Sequence, residues 1–182
     1  MIERKAKKTL KYKRKITLRY MILYLLFSLF ISAINAHIIK NDCFEIVENY
    51  VLNQTTLHIK GNGRMCDCNG EELKEYRNSI TSIVLKDSVT SIGCQCFMNF
   101  EKLQTIDFGK GITEIEQYSF YQSGLKELIS PKTITKISES AFEKTQLESI
   151  QFEEGDDELT IENSAFNNCE KLTTTNIPKR NN

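Results

Sequence analysis

The chain has 182 residues, which is enough for one domain and little more. Its 24 basic and 24 acidic residues cancel, but residues 1–36 contain nine of the basic residues and a single acid. Residues 37–182 therefore have 15 basic and 23 acidic residues, a net charge of −8. This acidic body argues against a nucleic-acid-binding protein, because affinity for the phosphate backbone comes mostly from lysine and arginine contacts.

The first predicted element is an apolar segment that directly follows the basic stretch. Residues 21–34 are 14 positions without a charged side chain, and a membrane-spanning helix needs about 20. A positive region, a short apolar region and a small residue such as Ala33 or Ala36 indicate a signal peptide. The alternative is an uncleaved membrane anchor, extended by Ile16, Leu18 and Tyr20. In both cases the positive flank stays in the cytosol, so we expect residues from 37 onwards to be secreted or displayed on the cell surface.

Residues 37–79 are predicted to form an N-terminal cap. Residues 43–47 and 56–60 alternate between apolar and polar side chains, which is typical of β-strands. Gly61 and Gly63 give a turn signal after the second of these segments. Neither segment follows the pattern of the rest of the chain, and repeat proteins need a cap that shields the first layer of the core.

Residues 80–178 consist of a repeated unit. Units 1 to 4 have apolar residues at their first and fourth positions and, except for Ser130 in unit 3, at their sixth. A second short apolar stretch, a small residue and a phenylalanine follow. Units 1 to 5 open with Ile80, Leu103, Leu125, Leu147 and Leu172. The phenylalanines of units 1 to 4 are Phe97, Phe120, Phe142 and Phe166. Both columns recur every 22–25 residues, which is a leucine-rich-repeat length.

The repeat predicts how the chain folds. Apolar residues two positions apart point to one side of a short strand, and stacked units bury them against each other. We therefore predict a mostly β fold with irregular segments: a leucine-rich-repeat solenoid of about four to five units of 22–25 residues after the cap. Residues 179–182 form a tail. The start of a fifth unit close to this tail predicts an open C-terminal strand edge, where the chain self-associates.

The units resemble the BspA-like leucine-rich repeats of microbial surface proteins. The resemblance covers about residues 43–178, and residues 137–142, 161–169 and 177–178 match the family's unit most closely. It implies a secreted or surface-displayed protein that adheres to host proteins or to neighbouring cells, with no catalytic residues. Two features depart from the family pattern, namely Ser130 in unit 3 and an acidic insertion at residues 153–158 in unit 4.

Cysteine is the first candidate for chemistry. Cys96 aligns with the small residue before the phenylalanine of each unit, and Cys169 occupies a half-buried cysteine column of the family. For Cys43 we predict a disulfide to Cys66 or to Cys68, because translocated chains favour disulfides over metal ions. Free thiols are the alternative. The Cys-x-Cys spacing is not the usual spacing of structural zinc ligands, so we predict no metal site.

The remaining motifs predict no enzyme and no cofactor. His37 and His58 have no nucleophile nearby in sequence, so no catalytic triad can be assembled. Residues 153–158 lack the alternating ligands of a calcium loop and indicate a solvated loop. Asn53 begins an Asn-Gln-Thr sequon, which predicts glycosylation if the chain is translocated.

The candidate binding surface consists of the strand residues that point away from the core. These are Ser82, Val84, Thr105, Asp107, Glu127, Ile129, Ser149 and Gln151. Stacking places them in parallel rows on one face, where repeat proteins often bind partners. The apolar pair Val84 and Ile129 indicates contact with a partner, although isolated exposed apolar residues also occur without any role.

These features predict a non-catalytic protein-binding module, secreted or on the cell surface, such as an adhesin. Two alternatives are a secreted inhibitor or regulator of another protein, and a truncated product of a larger repeat gene. The expected partner is a protein, and the expected contact with a membrane is through the N-terminal segment alone.

Overall fold

The computed structural model describes residues 38–40, 44–49, 54–65, 73–155 and 157–176. The predicted signal peptide or anchor at residues 1–36 lies outside this part of the chain. Thirteen β-strands and one short 3-10 helix, Lys74–Tyr76, make up the regular structure of the described residues. The prediction of a mostly β solenoid is confirmed.

The first three strands form an antiparallel sheet. They are β1 (Ile38–Lys40), β2 (Phe44–Asn49) and β3 (Gln54–Ile59). The alternation predicted from the sequence is present, since Phe44 and Ile46 of β2 and Leu57 and Ile59 of β3 are buried. One face of this sheet therefore belongs to the core.

Two rows of parallel strands run along the repeat. The first row contains β3, β5 (Ser82–Leu85), β7 (Thr105–Asp107), β9 (Glu127–Ser130), β11 (Ser149–Phe152) and β13 (Thr174–Asn176). The second row contains β4 (Gly63–Arg64), β6 (Val89–Ile92), β8 (Glu114–Ile115), β10 (Lys136–Ile137) and β12 (Thr160–Ile161). Each of units 1 to 4 contributes one strand to each row, and β13 lies in unit 5. Among the described residues, the second row pairs without interruption, whereas the first row is divided between β7 and β9.

The rows extend into the segment that we predicted as a cap. Strand β3 pairs in parallel with β5, so that Leu57 lies beside Ile83. Strand β4 pairs in parallel with β6, with a register shift between Gly63 and Arg64. Residues 54–64 therefore stack on unit 1 as a further coil. The boundary of the cap at residue 79 stays a prediction.

A third hydrogen-bonded ladder joins the segments that contain the repeat phenylalanines. The backbone N–H of Phe97 donates to the carbonyl oxygen of Ser119 at 2.8 Å, and that of Phe120 donates to Ala141 at 2.8 Å. Phe142 continues the ladder to the carbonyl oxygen of Ala165 at 2.8 Å. Each of units 1 to 4 therefore has three sides, and each side pairs with the same side of the next unit except in the first row, where β7 and β9 do not pair.

Two left-handed residues shape each of these segments. They lie two positions before and two positions after the phenylalanine. The residues are Gln95, Asn99, Tyr118, Gln122, Ser140, Lys144, Ser164 and Asn168, with φ between 54° and 64°. Side-chain-bearing residues adopt this region at a cost, so its recurrence at eight positions indicates that ladder bonds and phenylalanine burial outweigh the strain.

The four repeat phenylalanines form one stack. The ring centroids of Phe97 and Phe120 are 5.3 Å apart, those of Phe120 and Phe142 are 5.1 Å apart, and those of Phe142 and Phe166 are 5.3 Å apart. The last two pairs are nearly coplanar, with interplanar angles of 3° and 6°. The in-register stacking that the period predicted is therefore present.

Ser130 is a polar exception inside the core. It occupies the position of Leu85 in unit 1 and Phe108 in unit 2, and it is 1% exposed. Its hydroxyl makes no hydrogen bond to any described residue. We expect Ser130→Ala to raise the free energy of unfolding by about 1 kcal/mol, because a buried hydroxyl without a partner carries its full desolvation penalty. Urea denaturation of the two proteins measures this difference.

Ser119 provides the matched control for this prediction. It is equally buried, but its hydroxyl donates to the carbonyl oxygen of Gly93 at 3.1 Å. We expect Ser119→Ala to lower the free energy of unfolding by about 1 kcal/mol. If both substitutions destabilise the chain, the hydroxyl of Ser130 has a partner.

Candidate binding surface

The eight predicted surface residues lie on the four strands β5, β7, β9 and β11, on the face opposite the core. In the first half of the row, Ser82 pairs with Thr105 and Val84 pairs with Asp107. Because side chains alternate along each strand, paired residues point in the same direction. This half therefore presents two short lines of side chains.

The second half of the row has the same arrangement. Glu127 pairs with Ser149, and Ile129 pairs with Gln151, which in turn pairs with Asn176 of β13. The division of the row between β7 and β9 separates these residues from the first half. The structure thus brings the predicted residues together as two groups of four, and does not join them in one continuous ladder.

The two apolar members of this surface differ in exposure. Ile129 is 58% exposed and is the one large exposed hydrophobic side chain among the described residues. Val84 is half-buried. Exposed aliphatic area of this kind is a common mark of a contact site when polar residues surround it, and Glu127 and Gln151 beside Ile129 are exposed.

The outward face continues upstream onto the N-terminal strands. His58 of β3 lies between Val84 of β5 and Glu45 of β2. These three side chains, together with Val47, Ile59, Lys60 and Lys86, line a depression of about 410 Å³. Lys60 forms an ion pair with Glu45 at its edge. We did not predict this extension, although residues 56–59 alternate in the same way as residues 82–85.

The second row carries a chain of ion pairs on its outer side. The ammonium of Lys136 lies 3.1 Å from the carboxylate of Glu114 and 3.3 Å from that of Glu162. The hydrogen bond to Glu114, and then that to Glu162, raise the pKa of Lys136. These contacts tie units 2, 3 and 4 together. Because they are exposed, each contributes little to stability.

The pair between Arg64 and Glu116 is better enclosed. The Nε and Nη2 atoms of Arg64 each donate to the carboxylate of Glu116 at 2.8 Å, and Ser91 donates to the same carboxylate at 3.3 Å. The carboxylate side chain is 17% exposed. The hydrogen bond from Arg64 lowers the pKa of Glu116, against an opposing effect of burial. A bidentate pair of this kind is stronger than an ordinary surface ion pair.

We expect Glu116→Gln to lower the free energy of unfolding by about 1 kcal/mol at neutral pH. Folding lowers the pKa of Glu116. Its contribution is therefore complete above the ordinary glutamate pKa of about 4.3. The contribution is lost as the pH falls through the lower folded value. Urea denaturation across this range should therefore show the wild-type advantage shrinking towards acid. Exposed Glu158→Gln is the control, and an equal pH-dependent difference for it would contradict the prediction.

The cysteines divide into two groups. Cys94, Cys96 and Cys169 are free thiols, whereas Cys43, Cys66 and Cys68 of the predicted disulfide lie outside the described residues. Desolvation raises the pKa of both Cys94 and Cys169. At neutral pH these two thiols are therefore protonated and weakly nucleophilic. The thiol of Cys169 donates to the carbonyl oxygen of Phe142 at 3.2 Å, which gives it a structural contact.

Two further observations concern the described residues alone. No three side chains of His, Cys, Asp or Glu within them gather closely enough to hold a metal ion. No helix in the same part of the chain has the length and apolar character to cross a bilayer. The predicted glycosylation site, Asn53, lies outside the described part of the chain.

The comparison with known families rests on the repeat itself. A family model described as BspA type leucine rich repeat region matches residues 72–182 in 6 copies. The chain belongs to the BspA-type leucine-rich-repeat family. The resemblance predicted from the sequence is thereby confirmed, and the matched BspA-type region includes all of the predicted units. No curated protein matches the chain.

Three solved structures of leucine-rich-repeat proteins are similar to the chain. One from Eubacterium ventriosum is 17% identical, with a TM-score of 0.54, over 77% of this chain and 43% of that chain. The chain thus spans less than half the length of that protein. A Treponema (T. pallidum) leucine-rich-repeat protein is 15% identical, with a TM-score of 0.40, over 75% of this chain and 80% of that one. A leucine-rich cell surface protein from Faecalibacterium prausnitzii is 17% identical, with a TM-score of 0.31, over 76% of this chain and 54% of that one.

Proposed function

We propose that this BspA-type chain is a non-catalytic module that binds a protein partner outside the cell. The binding surface is the outward face of the first row, from His58 and Val84 to Ile129 and Gln151. The observation that carries the proposal is the exposure of Ile129, at 58%, among polar neighbours on a regular strand face. Burial of such a side chain by a partner removes apolar area from water, which favours association.

The location outside the cell is supported by the sequence of residues 1–36, which has the order of regions of an exported chain. The family resemblance agrees with this location. Among the described residues, the thiols of Cys94 and Cys169 have a raised pKa, and the thiol of Cys96 is buried. None of the three is an activated nucleophile, which is compatible with a role in binding. Adhesion to host proteins or to neighbouring cells is the form of binding that we favour.

The test uses the tagged full chain, immobilised and exposed to cell-surface and matrix proteins. We expect a captured partner to bind at least about tenfold more weakly to the double variant Val84→Thr and Ile129→Thr, since loss of a central apolar contact costs over 1 kcal/mol. Glu139→Ala, an exposed residue on the segment before Phe142, should leave binding unchanged. If the wild type, the double variant and Glu139→Ala capture the partner equally well, the contact lies outside the outward face of the first row. If no partner is captured above background, adhesion is refuted.

A second candidate function is a secreted inhibitor or regulator of another protein, which needs no attachment to cells. Fractionation separates the two, because an adhesin stays with the cells and an inhibitor enters the medium. The truncated-product alternative is tested by a thermal melt of the full chain. A broad, non-cooperative melt would support it, since stacked repeats that share one core unfold together.

A further inference from the structure

The chain passes from the first row to the second through a short turn that contains Gly61, Asn62 and Gly63. Asn62 is exposed, and its side-chain amide makes no hydrogen bond to any described residue. Gly61 and Gly63 have φ values of 142° and 88°. Apart from residues adjacent in the chain, no atom lies within 4 Å of the point where a side chain on either glycine would begin. The amide of Asn62 therefore lies on an open part of the surface, directly before a residue without a side chain.

An asparagine that precedes a glycine can react with its own backbone. The nitrogen of the glycine gives its proton to water and attacks the side-chain carbonyl carbon, Cγ, because no Cβ on the glycine hinders the approach. The bond between Cγ and the side-chain nitrogen breaks, and that nitrogen leaves as ammonia. Water then opens the resulting succinimide ring at either of its two carbonyl carbons, which gives aspartate or isoaspartate.

The strand that follows the turn restrains this reaction. The N–H of Gly63 donates to the carbonyl oxygen of Ser88 at 2.8 Å, and the hydroxyl of Ser88 donates to that of Gly61 at 2.6 Å. The next residue, Arg64, forms the bidentate pair with Glu116. Strand β4 has only two residues, lies at the edge of its sheet and has an irregular register against β6. Short edge segments of this kind open locally at less cost than global unfolding.

We propose that Asn62 is a site of spontaneous deamidation, and that the local opening of β4 sets the rate. Opening breaks the hydrogen bond from Gly63 to Ser88, which frees the nitrogen to reach Cγ of Asn62. The pair between Arg64 and Glu116 opposes the opening, because Arg64 directly follows the attacking residue. The folded chain therefore slows a reaction that the sequence of the turn favours.

The product changes the turn in two ways. Deamidation replaces a neutral amide by a carboxylate, and isoaspartate also adds one atom to the main chain directly before Gly63. The added atom shifts Gly63 out of its pairing with Val89. It thereby moves Arg64 away from Glu116. Deamidation at this turn weakens the attachment of β4 to the rest of the second row.

The first test incubates the full chain at neutral pH and body temperature over several days. Trypsin cleaves after Lys60 and Arg64, so mass spectrometry of the peptide of residues 61–64 measures Asn62 alone. A synthetic peptide of residues 58–65 gives the rate without the fold. We expect aspartate and isoaspartate products, formed more slowly in the protein than in the synthetic peptide.

Three results of this test would overturn the proposal. Absence of both products means that Asn62 is not a site. A rate equal to that of the synthetic peptide means that β4 does not restrain the nitrogen of Gly63. Aspartate without isoaspartate means direct hydrolysis of the side chain, without attack by the backbone.

Glu116→Gln tests the role of β4 in the rate. We expect deamidation of Asn62 to become about fivefold faster, the effect of one weakened hydrogen-bonded contact on the opening equilibrium. Glu158→Gln makes the same change of charge at an exposed position and should leave the rate unchanged. If Glu116→Gln and Glu158→Gln react at the same rate, the pair with Arg64 does not control the opening, and the proposal fails.

Phe166→Ala separates local opening from global unfolding. This residue lies at the far end of the phenylalanine stack from unit 1, so its replacement destabilises the chain without contacting β4. We expect the rate of deamidation of Asn62 to stay unchanged in this variant. An acceleration as large as that of Glu116→Gln would show that the reaction needs global unfolding, which contradicts control by β4.

Discussion

Replacing Phe142 by alanine is expected to lower the free energy of unfolding by about 4 kcal/mol. The ring is fully buried between Phe120 and Phe166, at centroid distances of 5.1 Å and 5.3 Å. Its removal loses burial on both sides and leaves a cavity that the ladder bonds of the neighbouring segments prevent from closing. Urea denaturation monitored by circular dichroism measures the loss, and a midpoint shift without a change in slope would show that the fold is otherwise kept.

Phe166 supplies the control for this prediction. It is half-buried at one end of the described stack, with its ring 5.3 Å from that of Phe142. Phe166→Ala should therefore cost about half as much, roughly 2 kcal/mol. Equal losses at the two positions would contradict the prediction, because the loss would then not follow the burial of the ring.

Gly124→Ala is expected to lower the free energy of unfolding by about 3 kcal/mol. A Cβ atom at this position would lie 2.0 Å from the carbonyl oxygen of Glu101 and 2.7 Å from its carbonyl carbon. Both atoms belong to the backbone of the preceding unit, so neither can rotate away. The clash exceeds the gain of under about 1 kcal/mol that alanine brings by restricting the unfolded chain.

Gly93→Ala is the matched control, because its Cβ would meet only the sulfur of Cys96, at 3.0 Å. A side-chain atom can shift by a few tenths of an ångström, so we expect a loss of about 1 kcal/mol or less. Thermal and urea denaturation of both variants give the comparison. A Gly124→Ala protein as stable as the parent would mean that the corner between Phe120 and Leu125 can move away from unit 1.

The period of the sequence predicted the two rows and the phenylalanine stack because these depend on residues that every unit repeats. Ile83 and Leu85 lie two positions apart on one strand, and this spacing alone assigns them to the same face. The outward positions, such as Asp107 and Ile129, follow from the same alternation. The sequence therefore predicted which strand residues point away from the core. The binding role of these residues stays a prediction.

Features that depend on contacts between distant residues had no such signal. Strand β3 pairs in parallel with β5, and the paired residues are 26 positions apart in the sequence. The segment between the two strands does not follow the repeat pattern, so the sequence did not predict this pairing. Left-handed φ at Tyr118 and Ser140 could not be read from residue types, because neither is glycine or asparagine. The division of the first row between β7 and β9 likewise depends on how the units stack. The bridge from Cys43 and the glycosylation of Asn53 stay predictions.

The three ladders have a bearing on how such a chain can change its length. Because units 1 to 4 repeat the same three segments, an in-frame duplication of one complete unit would add one segment to each of the three sides at once. The pair between Arg64 and Glu116 is different, since it reaches across β6 from β4 to β8. Duplication of unit 1 would separate these two charges, so growth of the array is compatible with this contact only on the C-terminal side of Glu116.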